Sequence, residues 1–307
     1  MKKMYLPIYI IFAVFACTFV IGSFFDYQIS SVLYHKLDTF ALVVSVIGMA
    51  PGYGVLAFIG GGLLYIGLKR QLPNLFVKIL LFVLAAAALG SSVYFTGLEF
   101  FGPNGFYYLG IREFWGYFIA FPFDVGMLAL GYFLTSKSEN DKLWVVYLIL
   151  LAAIALSLVA GVTAIKAIYH RPRFRTVVEN NLGIDFYPWW IPCKEYKSYI
   201  EEGIIKEEFK SFPSGHAGTA SVFMMATLFL PVINPKYKNV SIIAFFSGLA
   251  WLLLIAFSRV YLGAHFLSDV SMGALLGIIA FFAAKVIIEN AKYFDSGKEK
   301  PIVQQVE

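Results

Sequence analysis

The sequence predicts an all-α membrane protein, a polytopic bundle of about eight transmembrane helices. The first observation is composition: of 307 residues, 60% are hydrophobic and only 14% are charged. Soluble globular domains are nearer half apolar and a quarter charged. The second is a mean hydropathy of +0.75, more apolar surface than one soluble core could bury. The third is the recurrence of apolar stretches of roughly 18 to 25 residues, the length that crosses a bilayer.

Each predicted span is an apolar stretch between polar or turn-forming residues. The spans lie at 5–25, 50–68, 76–95, 115–135, 143–165, 216–232, 240–257 and 267–289. The first follows a basic start and is interpreted as an uncleaved helix. Residues 40–50 are either a lead-in to the second helix or a short re-entrant piece, and residues 50–54, Ala-Pro-Gly-Tyr-Gly, are interpreted as a helix breaker.

The spans form one predicted membrane domain. It consists of N-terminal helices (1–135) and a core (136–292), followed by a tail (293–307). Lysine and arginine are enriched in alternate short loops, which places both termini in the cytoplasm and the long loop at about 166–215 outside. We predict an integral protein of a bacterial cytoplasmic membrane. The net charge of +5 is spread rather than clustered, so the lipid bilayer, not a nucleic acid, is the predicted partner.

Three polar clusters fall at the outer face on this topology. They are Lys166–Phe174 after the fifth span, Phe212–His216 before the sixth, and Ser258–Asp269 between the seventh and eighth. Cations at this density are unfavourable near a membrane unless an anion binds among them. Phosphate is such an anion, because arginine offers it forked donors and lysine a point charge.

The second cluster predicts a helix start at Ser214–Gly215, whose main-chain N–H groups and positive dipole end suit phosphate. Glycine there permits close backbone approach. His265 and Asp269 are four residues apart and would share a helix face. The carboxylate would fix the tautomer and leave the other ring nitrogen to attack, although a structural ion pair is the alternative. His216 has no carboxylate at such spacing and suits a proton donor.

These motifs resemble a known family. Lys166-x6-Arg173, Pro213-Ser214-Gly215-His216 and Ser258-Arg259-x5-His265-x3-Asp269 resemble the three signature motifs of the type 2 phosphatidic acid phosphatase superfamily. The resemblance covers roughly residues 140–290. Family cores usually have six transmembrane helices, so about eight here implies extra N-terminal ones.

The resemblance implies a phosphohistidine mechanism without metal or cofactor. His265 would attack phosphorus, Asp269 would orient it, and His216 would protonate the leaving group. The implied phosphate ligands are Lys166, Arg173, Ser214, Gly215 and Arg259; candidate supporting residues are His170, Arg171, Pro213 and Ser258. Phe174 stands where the family motif has proline, whereas Pro172 follows Arg171, so Arg171 is the alternative phosphate ligand.

The leading hypothesis is therefore an integral-membrane lipid phosphatase. Its candidate substrates are undecaprenyl diphosphate, phosphatidylglycerol phosphate and phosphatidic acid, and an outward-facing site favours the first. One alternative is a lipid phosphotransferase that passes the phosphate to another lipid; the other is a multi-helix anion or lipid transporter. The segment 194–210 is predicted to form a short surface helix or lid, with no role for Lys210 in the site.

Overall fold

The computed structural model describes residues 5–36, 38–69, 74–101, 114–138 and 143–289. The predicted tail 293–307 lies outside this part, as does the basic start before the first span. The described residues form helices and no β-strand, which confirms the all-α class. The α-helices are α1 Tyr5–Leu33, α2 Thr39–Ile47, α3 Ala50–Lys69, α4 Leu75–Phe101, α5 Phe114–Ser136, α6 Leu143–Ile154, α7 Ala164–Tyr169, α8 Phe174–Glu179, α9 Tyr196–Glu201, α10 Gly215–Ala226, α11 Leu230–Ile233, α12 Lys238–Tyr261 and α13 Leu267–Glu289.

Eight described helical segments are long and apolar enough to cross a membrane, as predicted. The segment between α6 and α7, Ala155–Thr163, is π-helical, so these three pieces belong to one span. Large apolar side chains such as Phe24, Leu75 and Phe118 are exposed along the bundle. In a bilayer these side chains would face lipid.

Residues 39–69 shift the predicted helix breaker: the α-helix is interrupted at residues 48–49, whereas residues 50–54 belong to α3. Helices α2 and α3 together form one apolar span of 31 residues, Thr39–Lys69. Pro51 is the second residue of α3, a position where the missing N–H has no intrahelical acceptor to lose. Gly52 lies against α10, and a Cβ there would be 2.6 Å from Cβ of Thr219. The glycines of this stretch therefore serve helix packing.

Helices α10 and α13 approach closely enough to join two of the motifs. A Cβ on Gly273 of α13 would collide with the main-chain oxygen of Ser214. The Ser214 N–H donates to the Asp269 main-chain oxygen at 2.9 Å. The start of α10, which carries His216, is thus fixed against the start of α13, which carries Asp269.

The loop after α7 is a folded structure with its own apolar cluster around Ile184, Cys193 and Phe209. It contains α9, so a short helix forms in the segment where one was predicted, followed by a 3-10 turn at Lys206–Phe209. The Glu208 carboxylate pairs with Arg175, and the Glu208 main-chain oxygen accepts from the Arg173 N–H at 2.9 Å. These bonds hold the end of the loop against the segment that carries Arg173.

Candidate active site

All three motifs meet at one cavity of about 370 Å³. Seven of the predicted site residues line it: Lys166, His170, Arg173, Gly215, His216, Arg259 and His265. They come from α7 and its C-cap, the N-cap of α8, the start of α10, the end of α12 and the loop before α13. Residues nearly a hundred positions apart thus share one cavity wall.

Five other predicted residues are not among the described residues that line this cavity. Ser214 caps α10, and its Oγ accepts from the Ala217 N–H at 3.4 Å, so its predicted phosphate contact stays a prediction. The Ser258 hydroxyl donates to the Ile255 carbonyl at 2.8 Å. Pro213 follows Phe212 through a cis peptide bond. Asp269 and Arg171 lie in a buried network beside His265.

His265 is held in one tautomer by the main chain. Its Nδ1 lies 2.7 Å from the carbonyl oxygen of Ser211. A carbonyl oxygen only accepts hydrogen bonds, so Nδ1 carries the proton and Nε2 keeps its lone pair. Burial lowers the pKa of His265 well below its usual range, although Asp269 opposes this shift. The ring is therefore neutral, with Nε2 as the available nucleophile.

Asp269 orients the His265 ring less directly than the four-residue spacing between the two residues suggests. Its Oδ2 is 3.7 Å from Nδ1 of His265. The same oxygen accepts from the Ser211 hydroxyl at 2.5 Å and from the Phe266 N–H at 2.8 Å. Asp269 thus fixes the residue whose carbonyl holds His265, so its positioning effect passes partly through Ser211.

Arg171 is engaged by two carboxylates. Its guanidinium is buried and donates to Asp26 at 2.9 Å and to Asp269 at 2.5 Å. Its Nε donates to the Tyr187 carbonyl at 2.8 Å, and the group lies 4.0 Å from the ring centre of Phe266. Because these partners occupy Arg171 whereas Arg173 lines the cavity, the geometry favours the register with Arg173 as phosphate ligand.

Asp26 belongs to α1 and was missed by the motif analysis. It also accepts from the Ser268 N–H at 2.9 Å. Only its position inside an apolar helix of 29 residues could have indicated a role from the sequence. A carboxylate there is unfavourable without a partner.

Arg259 supplies the most buried cation of the cavity. Its Nη1 donates to the hydroxyl of Ser45 on α2. Within the described residues, its Nε and Nη2 are buried and have no hydrogen-bond partner. Unsatisfied buried guanidinium N–H groups are unfavourable, and an anion in the cavity would satisfy them. Lys166 and Arg173 line the same space and add positive charge.

His216 lies opposite His265, with their ring centres 6.4 Å apart. Its Nε2 is 3.9 Å from Oε2 of Glu99 on α4. Glu99 lies far before the first motif, and its only sequence signal is a carboxylate at the end of an apolar helix. Helical spacing could not indicate this contact, because Glu99 and His216 lie on different helices, α4 and α10.

The loop also contributes to the cavity. Lys206, Glu207 and Lys210 line it, and Lys210 pairs with Glu207, which corrects the prediction that Lys210 has no place in the site. His170 has a left-handed backbone, φ +43°, and stacks on Tyr196 of α9 with ring centres 3.6 Å apart. The loop thus forms part of the cavity wall.

Metal binding is not indicated by any cluster in the described part of the chain. There, no group of three or more histidine, cysteine, aspartate or glutamate side chains is placed to hold a metal ion.

Comparison with known proteins identifies the family of the core. Residues 142–293 match the family model of the PAP2 superfamily, and all three motifs lie inside this range. The chain therefore contains a PAP2 superfamily domain, as the motif resemblance predicted. Asp26, Ser45 and Glu99 lie outside it.

The most informative relatives are two kinds of phosphatase. The chain is 38% identical over 96 residues to phosphatidylglycerophosphatase B of Bacillus subtilis (strain 168), covering 30% of this chain and 45% of that protein. It is 35% identical over 104 residues to glucose-6-phosphatase catalytic subunit 1 of Bos taurus and of Rattus norvegicus, covering 29% of each chain. The similarity thus spans less than half of these relatives. No solved structure matches the chain significantly.

Proposed function

We propose that this protein is an integral-membrane phosphatase that hydrolyses a phosphate ester or diphosphate of a lipid. The observation that carries the proposal is the pairing of His265 with Ser211 at 2.7 Å beside a cavity lined by Lys166, Arg173 and Arg259. A neutral imidazole nitrogen next to clustered cations is suited to attack a bound phosphate.

The proposed reaction has two steps. In the first, Nε2 of His265 attacks phosphorus, the bond to the leaving oxygen breaks, and His216 gives that oxygen a proton. In the second, water attacks the phosphohistidine, His216 takes a proton from the water, and His265 leaves as a neutral ring. The three cations stabilise negative charge on the phosphoryl oxygens in both transition states.

A lipid substrate is supported by the eight apolar helices and by the similarity to a protein named phosphatidylglycerophosphatase B. Phosphatidylglycerol phosphate, phosphatidic acid and undecaprenyl diphosphate are the proposed candidates. The lysine and arginine distribution supports a site at the outer face with both termini in the cytoplasm. The similarity to glucose-6-phosphatase favours a second candidate, a soluble sugar phosphate.

Phosphate release by the purified protein in detergent tests the proposal. The substrates are the three lipids and glucose 6-phosphate, each with and without EDTA. We expect release from at least one lipid and none by His265→Ala. Full activity of His265→Ala would overturn the mechanism. Transfer of labelled phosphate to a lipid, with little free phosphate, would establish a phosphotransferase instead.

Trapping the intermediate is the second measurement. With p-nitrophenyl phosphate as substrate, phosphate label on the protein after alkaline denaturation should depend on His265. The label should accumulate in His216→Ala, because this leaving group needs no proton whereas the attacking water must lose one. Retention of the label in His265→Ala would contradict His265 as the nucleophile.

A further inference from the structure

Glu99 enters the cavity from outside the PAP2 superfamily domain. It lies near the end of α4, lines the cavity, and its side chain is 28% exposed. Its Oε2 is 3.9 Å from Nε2 of His216, within the distance of an ion pair. Nothing in the reaction described above uses this carboxylate.

The surroundings of His216 otherwise disfavour a proton on its ring. The titratable and charged groups that line the cavity with it, besides Glu99, are Tyr53, Lys166, His170, Arg173, Lys206, Glu207, Lys210, Arg259 and His265. Lys166, Arg173 and Arg259 are basic side chains, and Glu207 is paired with Lys210. Buried like charges oppose protonation of a histidine. Yet the proposed reaction requires a proton on His216 when the leaving oxygen departs.

We propose that Glu99 is a positioning residue that orients His216 and stabilises its protonated form. The inference rests on the proposed function. In the first step, the proton passes from His216 to the leaving oxygen; in the second, it returns from the attacking water. His216 is protonated at the start of the first step and again at the end of the second. The Glu99 carboxylate stabilises this protonated form in both cases.

If Glu99 stabilises protonated His216, the effect of losing Glu99 should depend on how much the leaving group needs a proton. An alkoxide such as that of phosphatidic acid needs a proton to depart, whereas nitrophenolate leaves without one. Loss of Glu99 should therefore slow the hydrolysis of phosphatidic acid more than that of p-nitrophenyl phosphate. It should also move the alkaline limb of the pH profile to lower pH, because His216 would lose its proton more readily.

The test compares wild type, Glu99→Gln, Glu99→Asp and, as a control, Glu207→Gln, which alters another carboxylate of the same cavity. kcat and KM are measured for both substrates across about pH 5 to 8. We expect Glu99→Gln to lower kcat for phosphatidic acid by about 10²-fold, with a much smaller loss for p-nitrophenyl phosphate and a shifted alkaline limb. Glu99→Asp should restore part of the rate, and Glu207→Gln should leave the alkaline limb unmoved.

Two results would overturn the inference alone. Equal losses on both substrates with an unmoved pH profile would make Glu99 a structural residue. A raised KM for the lipid with unchanged kcat would make it a contact for the leaving group. Absence of phosphate release by the wild type would overturn the proposed function, and with it the role of Glu99.

Discussion

The main-chain carbonyl oxygen of Ser211 lies 2.7 Å from Nδ1 of His265. A carboxylate at this place would stabilise a protonated ring through its negative charge. A carbonyl oxygen accepts the same hydrogen bond but carries no full negative charge. In the neutral ring, the contact therefore places the proton on Nδ1 and the lone pair on Nε2. Asp269, 3.7 Å from the same nitrogen, acts on His265 partly by fixing Ser211.

Replacement of Asp269 by asparagine should lower kcat by about 10²-fold or more, by analogy with other histidine-orienting aspartates. The change removes a charge that Arg171 and the Ser211 hydroxyl both contact. Ser211→Ala is the matched variant, because it loses the hydroxyl but keeps the carbonyl; we expect a loss of less than about tenfold. Phosphate release measures both. Equal losses would show that the hydroxyl, rather than the Asp269 charge, is decisive.

Asp26→Asn should destabilise the protein, because Arg171 would keep only one of its two carboxylate partners. We expect a loss of about 1–3 kcal/mol together with reduced activity, measured by thermal unfolding in detergent and by phosphate release. Asp124→Asn is the control: it alters a buried intramembrane carboxylate that accepts from Ser92 at 2.7 Å. Asp124→Asn should leave kcat unchanged. An Asp26→Asn protein with wild-type stability would contradict the network argument.

The residues that sequence analysis found and missed differ in how their partners are arranged along the chain. His216, Arg259 and His265 sit in short motifs, where spacing alone indicates shared geometry. Asp26 and Glu99 reach the same site from α1 and α4, and no local pattern records contacts over 145 positions, the separation of Asp26 and Arg171. Only the unfavourable burial of a carboxylate in an apolar helix could have indicated them.

The choice between Arg171 and Arg173 shows the same limit. Arg173 keeps the motif's spacing from Lys166 but is followed by Phe174. Arg171 is followed by a proline, as in the family motif, but lies two residues too close to Lys166. The decision comes from α1 and α13, whose carboxylates bind Arg171. The overall fold was easier to predict, because each span is marked by its own apolar length. The start of α3 at Ala50, one residue before Pro51, was not, because a proline in a first turn resembles a breaker in sequence.

Gly215→Ala should reduce activity without loss of stability. A Cβ on Gly215 would lie 3.6 Å from Cγ1 of Val162 and 3.9 Å from Cε of Met49, which is ordinary contact, so packing alone does not require glycine. The methyl group would occupy the helix start that lines the cavity, and we expect kcat/KM to fall by about 10-fold or more if phosphate binds there.

Gly218→Ala is the control for this change, one turn along the same helix. Its Cβ would also make only ordinary contacts, the nearest at 3.5 Å from the Gly273 carbonyl oxygen, and Gly218 is not among the described lining residues. Both variants should unfold at the wild-type temperature, and only Gly215→Ala should lose activity. Equal activity of the two would remove Gly215 from the phosphate site.

The pH dependence of the first step should reflect the lowered pKa of His265. Burial favours the neutral ring, and a neutral ring is the form that attacks. The nucleophile should therefore stay competent below about pH 6.5, where an ordinary histidine is half protonated. Rapid-quench measurement of phosphoenzyme formation, with enzyme in excess over p-nitrophenyl phosphate, would follow this step. A decline centred near pH 6.5 would contradict the neutral, buried state.

Stability should depend on pH through Glu208, which anchors the loop. Burial alone would raise its pKa, but Arg173 and Arg175 outweigh burial and lower it to about 2. The folded protein therefore binds fewer protons than the unfolded chain between about pH 4.3 and pH 2. Glu208 contributes stability above that window and loses it as the pH falls through it.

Glu208→Gln should thus destabilise the protein by about 3 kcal/mol at neutral pH, the value of a pKa shift of this size. The difference from wild type should shrink as the pH falls from about 4.3 toward 2, because protonation then gives wild-type Glu208 the same charge as glutamine. Thermal unfolding in detergent across this range measures it. Glu207→Gln, whose carboxylate pairs with the partly exposed Lys210, should show a much smaller difference. A Glu208→Gln deficit that is constant with pH would mean that packing, not charge, anchors the loop.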